Sequence, residues 1–292
     1  MDLEIPRSLA KFLADARMGS KAQIEALAQR GSLQLNGEST GDLRQLIDPQ
    51  DDVMEVDGQR ARLSPPTFYA LLNKPGGVVT TLSDPTGKRC VAGLLPEDWL
   101  GRVGVVGRLD KPTTGALLVT DDGDLSHLLT HPDFHVWKRY VLTVRGDPVD
   151  ADPRLIHLRE GVVLGQTRTQ PARCGVVPGS GRAGTKHPRL SEVWVEIREG
   201  RNRQVRRMAS QVQLKLVHLH REAIGPLTLG TLAIGQLRTL SAAEVAALYE
   251  AAGGRQAPMV GARRALLRRL SDGVLNDAEA ATVRRYLAKT PT

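Results

Sequence analysis

Three features of this 292-residue sequence predict an α+β fold with a mixed, largely antiparallel sheet. Short apolar strand-like runs and short helical patterns occur without regular alternation, which excludes a row of βαβ units. Capping-box pairs, Ser20 with Gln23 and Ser241 with Glu244, mark helix starts within that irregular order. At 41% hydrophobic and 25% charged, the composition is that of an ordinary globular chain.

The elements follow in order. Arg7 to Ala16 carries Leu9, Phe12 and Leu13 at helical spacing, and Gly19 ends it. A second helix opens at Ser20, buries Ile24, Leu27 and Ala28, and stops at Gly31. Leu33 and Leu35 alternate before Asn36-Gly37, a two-residue hairpin turn. Val53, Val56 and Asp57-Gly58 read as a closing strand and turn. Residues 1–62 thus form a small unit, and Pro65-Pro66 marks a linker. A larger domain spans 68–252. Its expected strands are Ala116 to Thr120, Lys138 to Val144, Val193 to Ile197 and Leu214 to Leu219. Its expected helices are Asp124 to Thr130 and the one opened by Ser241. Residues 253–292 form a basic extension with eight Lys/Arg and three Asp/Glu. A solvated tail and an accessory RNA contact both fit it.

Forty Lys+Arg against 32 Asp+Glu leave a net charge of +8, and a polyanion such as nucleic acid suits that balance. The segment 198–207 alone holds five arginines and one glutamate. No run of 18 apolar residues offers a membrane span. Met1-Asp2-Leu3-Glu4 lacks the pattern of a secretory leader. Two distant cysteines, Cys90 and Cys174, fit a reducing cytoplasm. A monomer is the default, since no heptad pattern is present.

Several motifs fail on context. Gly179 to Gly184 spells GxGxxG but precedes a strand instead of opening a helix. His127, His131 and His135 are separated by Pro132, and His218 with His220 lacks a third ligand, so no metal site is expected. No GxSxG elbow is present.

Three stretches remain. Gly107 to Gly115 is a polar loop before a strand, with Asp110 beside Lys111-Pro112; turn chemistry alone also accounts for it. Lys138, Tyr140 and Leu142 share one strand face. In Glu199 to Met208, Val205, Met208, Ala209 and Val212 bury one helix face and leave arginines at the helix start, suited to phosphate.

In order and spacing these stretches resemble the ribosomal-RNA pseudouridine synthases of the RsuA class. The similarity runs through GRLDKPTTGALLVTDDG, HPDFHVWKRYVLTV, EGRNRQVRRM and LHREAIGPLTLGTLAIGQLRTL, and LLNKPGGVVTT resembles that family's opening strand. It covers about residues 5–248. SLAKFLADARMGSKAQIEALAQRGSLQLNGE resembles the alpha-L RNA-binding domain carried by that family. The resemblance implies isomerisation of uridine to pseudouridine in ribosomal RNA, free or within an assembly intermediate, with no cofactor and no metal.

It also implies roles. Asp110 is the carboxylate at the sugar, which attacks C1′ or stabilises positive character there. Arg206 is the cation that keeps it ionised, with Arg207 the alternative if the alignment slips by one. Tyr140 stacks the everted base and can take part in proton transfer. Arg108, Lys138, Arg201, Arg203 and Arg207 are candidate RNA contacts, with Arg7, Lys11, Ser20, Lys21 and Arg30 on the small amino-terminal unit. Leu229 or Ile224 is expected near the base. Lys21 stands where that domain usually has Arg, which removes a bidentate phosphate contact. Lys111-Pro112 replaces residues that are more often polar or acidic. Features near His127 point to the small subunit and DPTGKRCVAGLLP to the large one, which is weakly favoured. A non-catalytic RNA-binding or assembly factor on the same scaffold is the alternative.

Overall fold

A computed structural model describes residues 5–83, 87–180, 189–254 and 265–289. The GxGxxG spelling runs out of them after Ser180, and Arg263-Arg264 lies outside them. The chain divides into two compact units, Met1–Thr67 with Gln256–Thr292, and Phe68–Arg255.

The smaller unit begins with β1 (Arg7–Ser8), α1 (Leu9–Asp15) and α2 (Lys21–Gln29). Ser8 caps α1 by accepting from the Lys11 amide, and the Ser20–Gln23 capping box opens α2. These side chains satisfy N–H groups that a helix start leaves unpaired. β2 (Leu33–Leu35), β3 (Glu38–Ser39), β4 (Leu46–Ile47), β5 (Met54–Val56) and β6 (Gln59–Arg60) follow. Four of them form a sheet in the order β3-β2-β5-β6, while β4 pairs with β1. Asn36-Gly37 and Asp57-Gly58 turn the two hairpins with all four φ angles positive, between 49° and 84°, the geometry of a type I′ turn. Leu9, Phe12, Leu13, Ile24 and Leu27 close on Leu33, Ile47 and Met54.

The larger unit holds β7 (Tyr69–Lys74), β8 (Gly104–Val105), β9 (Thr114–Thr120), α3 (Gly123–Thr130), β10 (Lys138–Arg145), α4 (Pro153–Glu160), β11 (Val163–Leu164), β12 (Thr167–Arg168), β13 (Arg173–Val176), β14 (Leu190–Ile197), α5 (Gln204–Gln211), β15 (Lys215–Ile224), β16 (Leu227–Thr228), β17 (Leu237–Thr239) and α6 (Ala242–Ala251). Nine strands form one sheet along the path β13-β14-β10-β15-β9-β7-β17, with β16 on β15 and β8 on β9. Among the described strands of this sheet only β9 and β15 pair in parallel. The α+β class and the mixed, largely antiparallel sheet are therefore as expected. β15 starts at Lys215 and runs on to Ile224, five residues past the expected strand, because register shifts opposite β10 keep the pairing going.

One sheet face carries Leu72, Leu117, Tyr140, Leu142, Val193, Val195 and Leu219. It packs beneath Leu155 and Leu158 of α4 and Val205, Met208 and Ala209 of α5. Elsewhere Asp122 caps α3 through the Leu125 amide and accepts 2.7 Å hydrogen bonds from the Tyr69 and Tyr249 hydroxyls. Burial and that carboxylate push the Tyr249 hydroxyl far above its usual range.

Along the main path of the sheet the parallel contact is the shortest pairing. It consists of His220 beside Thr114 and Arg221 beside Gly115. Gly115 has φ +109°, and a Cβ there would lie 2.2 Å from the Arg221 carbonyl oxygen. Only glycine allows the two backbones to meet this closely.

After Gly253 the chain adds the helical stretch 265–271 (α7) and α8 (Asp277–Lys289). Val283 and Tyr286 of α8 pack with Leu46 and Leu266. Arg285 pairs with Asp51 and Asp52, and Lys289 with Asp48 and Asp51. The basic extension thus spends two of its cations on an acidic turn of the amino-terminal unit.

Two stability predictions follow from this packing. Gly115→Ala should cost about 3 kcal/mol or more, through positive φ and backbone overlap together, measured by denaturant unfolding. Tyr286→Ala should cost about 3 kcal/mol of the smaller unit's stability, as for other large buried rings. Unfolding of that unit, followed by hydrogen exchange, checks this.

Candidate active site

The polar loop before β9 is fastened at several points. The Thr113 amide donates to the Asp110 carbonyl at 2.9 Å and closes a turn. Leu109 is buried, and its carbonyl accepts from the Thr80 hydroxyl at 2.6 Å. The Lys111 carbonyl accepts from the Gly77 amide at 2.8 Å and stands 3.4 Å from the Lys74 ammonium. With its backbone held, the loop presents the Asp110 side chain, 27% exposed, to the opposing helix start.

That helix start is α5. Its amphipathic pattern seats Val205, Met208 and Ala209 in the core and turns Arg206 towards the loop. Arg206 Nε lies 3.3 Å from Asp110 Oδ2, and Arg203 Nη1 lies 3.5 Å from the same oxygen. Arg206 Nη2 also donates to the Thr113 hydroxyl at 2.8 Å. Burial lowers Arg206, while Asp110 pulls it back up.

The approach to α5 is a hydrogen-bonded knot around Glu199. Its carboxylate accepts from the Gln170 amide, the Gln204 side chain and Arg201 Nε. Arg201 also donates to the Thr167 hydroxyl and the Arg168 carbonyl. Arg203 sits at the cap in a left-handed conformation, φ 50°, so the chain turns sharply and brings Arg203 and Arg206 to one carboxylate.

Tyr140 lies on the sheet face that α5 covers and is 9% exposed. Arg221 on β15 stands directly opposite it. Lys138, two residues before Tyr140, bonds the Val136 carbonyl at 3.1 Å. Burial first, and then the Arg221 charge, lower Lys138 to about 8.

The structure brings Asp110, Arg206 and Arg203 together. Arg206, not Arg207, is the close cation; Arg207 is exposed, with its guanidinium near Gly165. Arg108 is exposed on the loop. Of the amino-terminal candidates, Arg7 and Lys11 both pair with Asp15, Arg30 pairs with Asp57, and the Ser20 hydroxyl is used in capping. Lys21 is 92% exposed and 3.8 Å from Glu25. Leu229 and Ile224 are both buried.

Sequence reading missed Lys74, Thr113 and Arg221. Lys74 is fully buried, and its ammonium donates to the Pro75 and Val78 carbonyls at 2.9 Å each. Its only sequence signal was a lysine closing an apolar strand in LLNKP. Among the described residues no group of three or more His, Cys, Asp or Glu could hold a metal ion. His218 and His220 instead both bond the Thr114 hydroxyl, at 2.9 and 2.8 Å. No helix among the described residues is long and apolar enough to cross a membrane.

The arrangement is a partly exposed carboxylate facing two guanidiniums, with a buried ammonium under its loop; Tyr140 lies on the sheet face that α5 covers. A carboxylate so placed can serve as nucleophile or counter-ion at an electron-deficient carbon.

Known proteins match this chain along most of its length. The family model described as RNA pseudouridylate synthase matches residues 68–211. An uncharacterised RNA pseudouridine synthase of Mycobacterium tuberculosis is 34% identical over 247 residues, which is 84% of this chain and 94% of that protein. The ribosomal large subunit pseudouridine synthase B of Bacillus subtilis is 32% identical over 240 residues, 81% of this chain and 93% of that protein. A crystal structure described as that of a pseudouridylate synthase aligns with a TM-score of 0.57 at 28% identity, covering 83% of this chain and 99% of that one.

The buried lysine yields a pH prediction. Burial lowers Lys74 from 10.5 to about 8, against the pull of Asp110. Between those values the unfolded chain binds the extra proton, so folding stability rises with pH there and the lysine contributes no slope outside that window. Denaturant midpoints of the wild-type protein should climb across that window. In Lys74→Met the climb should be shallower by one proton's share.

Proposed function

The chain belongs to the RNA pseudouridylate synthase family, and from that premise we propose that it isomerises a uridine of ribosomal RNA with Asp110 as the carboxylate at C1′. The observation that carries the assignment of Asp110 is its position, 27% exposed, with Arg206 at 3.3 Å and Arg203 at 3.5 Å. The uridine N1–C1′ bond breaks, the uracil turns over, and C5 bonds to C1′ and gives up its proton while N1 regains one. Atoms and electrons balance within the nucleotide. Asp110 supplies the negative charge at C1′, as nucleophile or as counter-ion. Arg206 faces that carboxylate at 3.3 Å and, with its bond to Thr113, aims it.

A uridine in folded RNA reaches such a loop only after leaving its stack, at a cost of a few kcal/mol. Tyr140 offers a ring for the base, and stacking of this kind returns about 1–3 kcal/mol. Arg108, Lys111 and Arg207 are exposed cations free to meet phosphates. Arg201 is tied to Glu199, Thr167 and Arg168 and so favours a structural role. The amino-terminal unit supplies further RNA contacts, among which the exposed Lys21 is the most accessible. The large subunit is the favoured target, because two matched relatives, from Bacillus subtilis and Pseudomonas aeruginosa, carry large-subunit names. The protein acts as a monomer in the cytoplasm on free ribosomal RNA or on an assembly intermediate.

A pseudouridine map of ribosomal RNA from wild-type and gene-deleted cells tests this reading. One large-subunit uridine should lose its label on deletion. Wild-type protein should restore it and Asp110→Asn should not, with a rate at least about 10⁴-fold lower, as when a catalytic carboxylate is neutralised. The variant should still bind RNA. Restoration by Asp110→Asn would remove that carboxylate from the chemistry, and identical maps would favour a non-catalytic RNA-binding factor.

A further inference from the structure

Two cations on the Tyr140 face lack an anionic partner. Arg221 is 3% exposed; its Nε donates to the Ala116 carbonyl at 2.7 Å, and its Nη2 is buried with no hydrogen-bond partner. Lys138 is half-buried, and among the described residues its ammonium bonds only the Val136 carbonyl. Among the described residues no carboxylate lies within ion-pair distance of either, and the Arg221 charge bears directly on Lys138. Arg139, the residue between Lys138 and Tyr140, has two glutamates, Glu196 and Glu222, at 3.5 and 3.0 Å. Carboxylates are thus within reach of this strand and are withheld from the Tyr140 face.

Burying a cation without a partner costs several kcal/mol, and two like charges side by side cost more. Such an arrangement is consistent with an anion that arrives with the substrate. We propose that Arg221 and Lys138 form the counter-charge for the uracil anion released when the N1–C1′ bond breaks. The inference rests on Asp110 acting at C1′ as set out above. The bonding pair leaves with the uracil and spreads over N1 and the two carbonyl oxygens. Asp110 balances C1′; the cations balance the base until C5 attacks C1′ and the ring loses its C5 proton.

A backbone phosphate fits this place poorly. It remains hydrated and joined to its neighbours, whereas Arg221 is sealed within the sheet opposite Tyr140. A flat base turned into the site comes close to Lys138 directly. In a medium of low dielectric the guanidinium behind it acts across several ångströms without contact. Arg221 is in this sense a positioning and electrostatic residue, held by the strand contact that Gly115 permits.

The test uses Arg221→Gln and Lys138→Gln in the full-length protein. Unmodified large-subunit ribosomal RNA is transcribed with either UTP or 5-fluoro-UTP. Fluorine at C5 stabilises the uracil anion and lessens the need for a counter-charge. Single-turnover formation of the C5-glycoside is read by chromatography and mass spectrometry of nuclease digests, with RNA affinity measured in parallel. On the uridine transcript each variant should be slower by about 10²-fold, the loss typical of one oxyanion-stabilising donor. Affinity should change by less than about threefold. On the fluorinated transcript the deficit should shrink by about tenfold, the worth of one unit of leaving-group acidity. Equal deficits on both transcripts would overturn the proposal in favour of a structural clamp, and a loss confined to affinity would mark a phosphate contact. Should Arg221→Gln fail to melt cooperatively, Lys138→Gln decides the matter, since Lys138 lies at the strand's first position. A wild-type protein that converts neither transcript would overturn the assignment to large-subunit RNA, and this inference with it.

Discussion

The two-residue parallel contact between β9 and β15 governs where every proposed catalytic group stands. Thr114 and Gly115 meet His220 and Arg221 there, at a distance only a glycine tolerates. Upstream of Gly115 the chain becomes the loop that carries Asp110. Across β15 from the same point lies Tyr140. Moving the contact by one residue would turn the β15 side chains to the other face of the sheet and take Arg221 away from Tyr140. The antiparallel ladders on either side are long and tolerate local shifts, whereas this junction has no redundancy.

Around that junction the protein gathers more positive charge than it neutralises. Asp110 faces Arg206 and Arg203, Lys74 lies under its loop, and Lys138 and Arg221 flank Tyr140. The net charge of +8 is therefore not only a surface property suited to a polyanion. Part of it is buried, on Lys74 and Arg221, beside the groups proposed to act on the uridine. Lys74 and Arg221 each bond backbone carbonyls, which is how a buried cation is tolerated without a carboxylate beside it.

The smaller unit uses its charges differently. Arg7, Lys11 and Arg30 are engaged with Asp15 and Asp57, and α8 covers Leu46 while Arg285 and Lys289 meet the Asp48–Asp52 turn. A basic sequence segment is thus a poor guide to a free basic surface. The same holds for Arg201, which counts as one of five arginines in 198–207 yet is bound on three sides.

Local chemistry was legible in the residues alone. Ser20–Gln23 and Ser241–Glu244 capped helices, Asn36-Gly37 turned a hairpin, and the spacing of Val205, Met208 and Ala209 fixed which way α5 faces. These depend on contacts within a few positions along the chain. The resemblance drew attention to Asp110, Tyr140 and Arg206, and spacing alone could not distinguish Arg206 from Arg207. Tertiary structure decided what depends on distant partners. It set Arg206 against Asp110 across 96 residues of sequence, with Arg203 beside it. It buried Lys74 under a loop 36 residues further on, left Arg221 with an idle donor, and folded α8 onto an acidic turn. A helix cap or a turn is set by its own neighbours, but whether a cation is paired, buried or free is known only once the chain has closed around it.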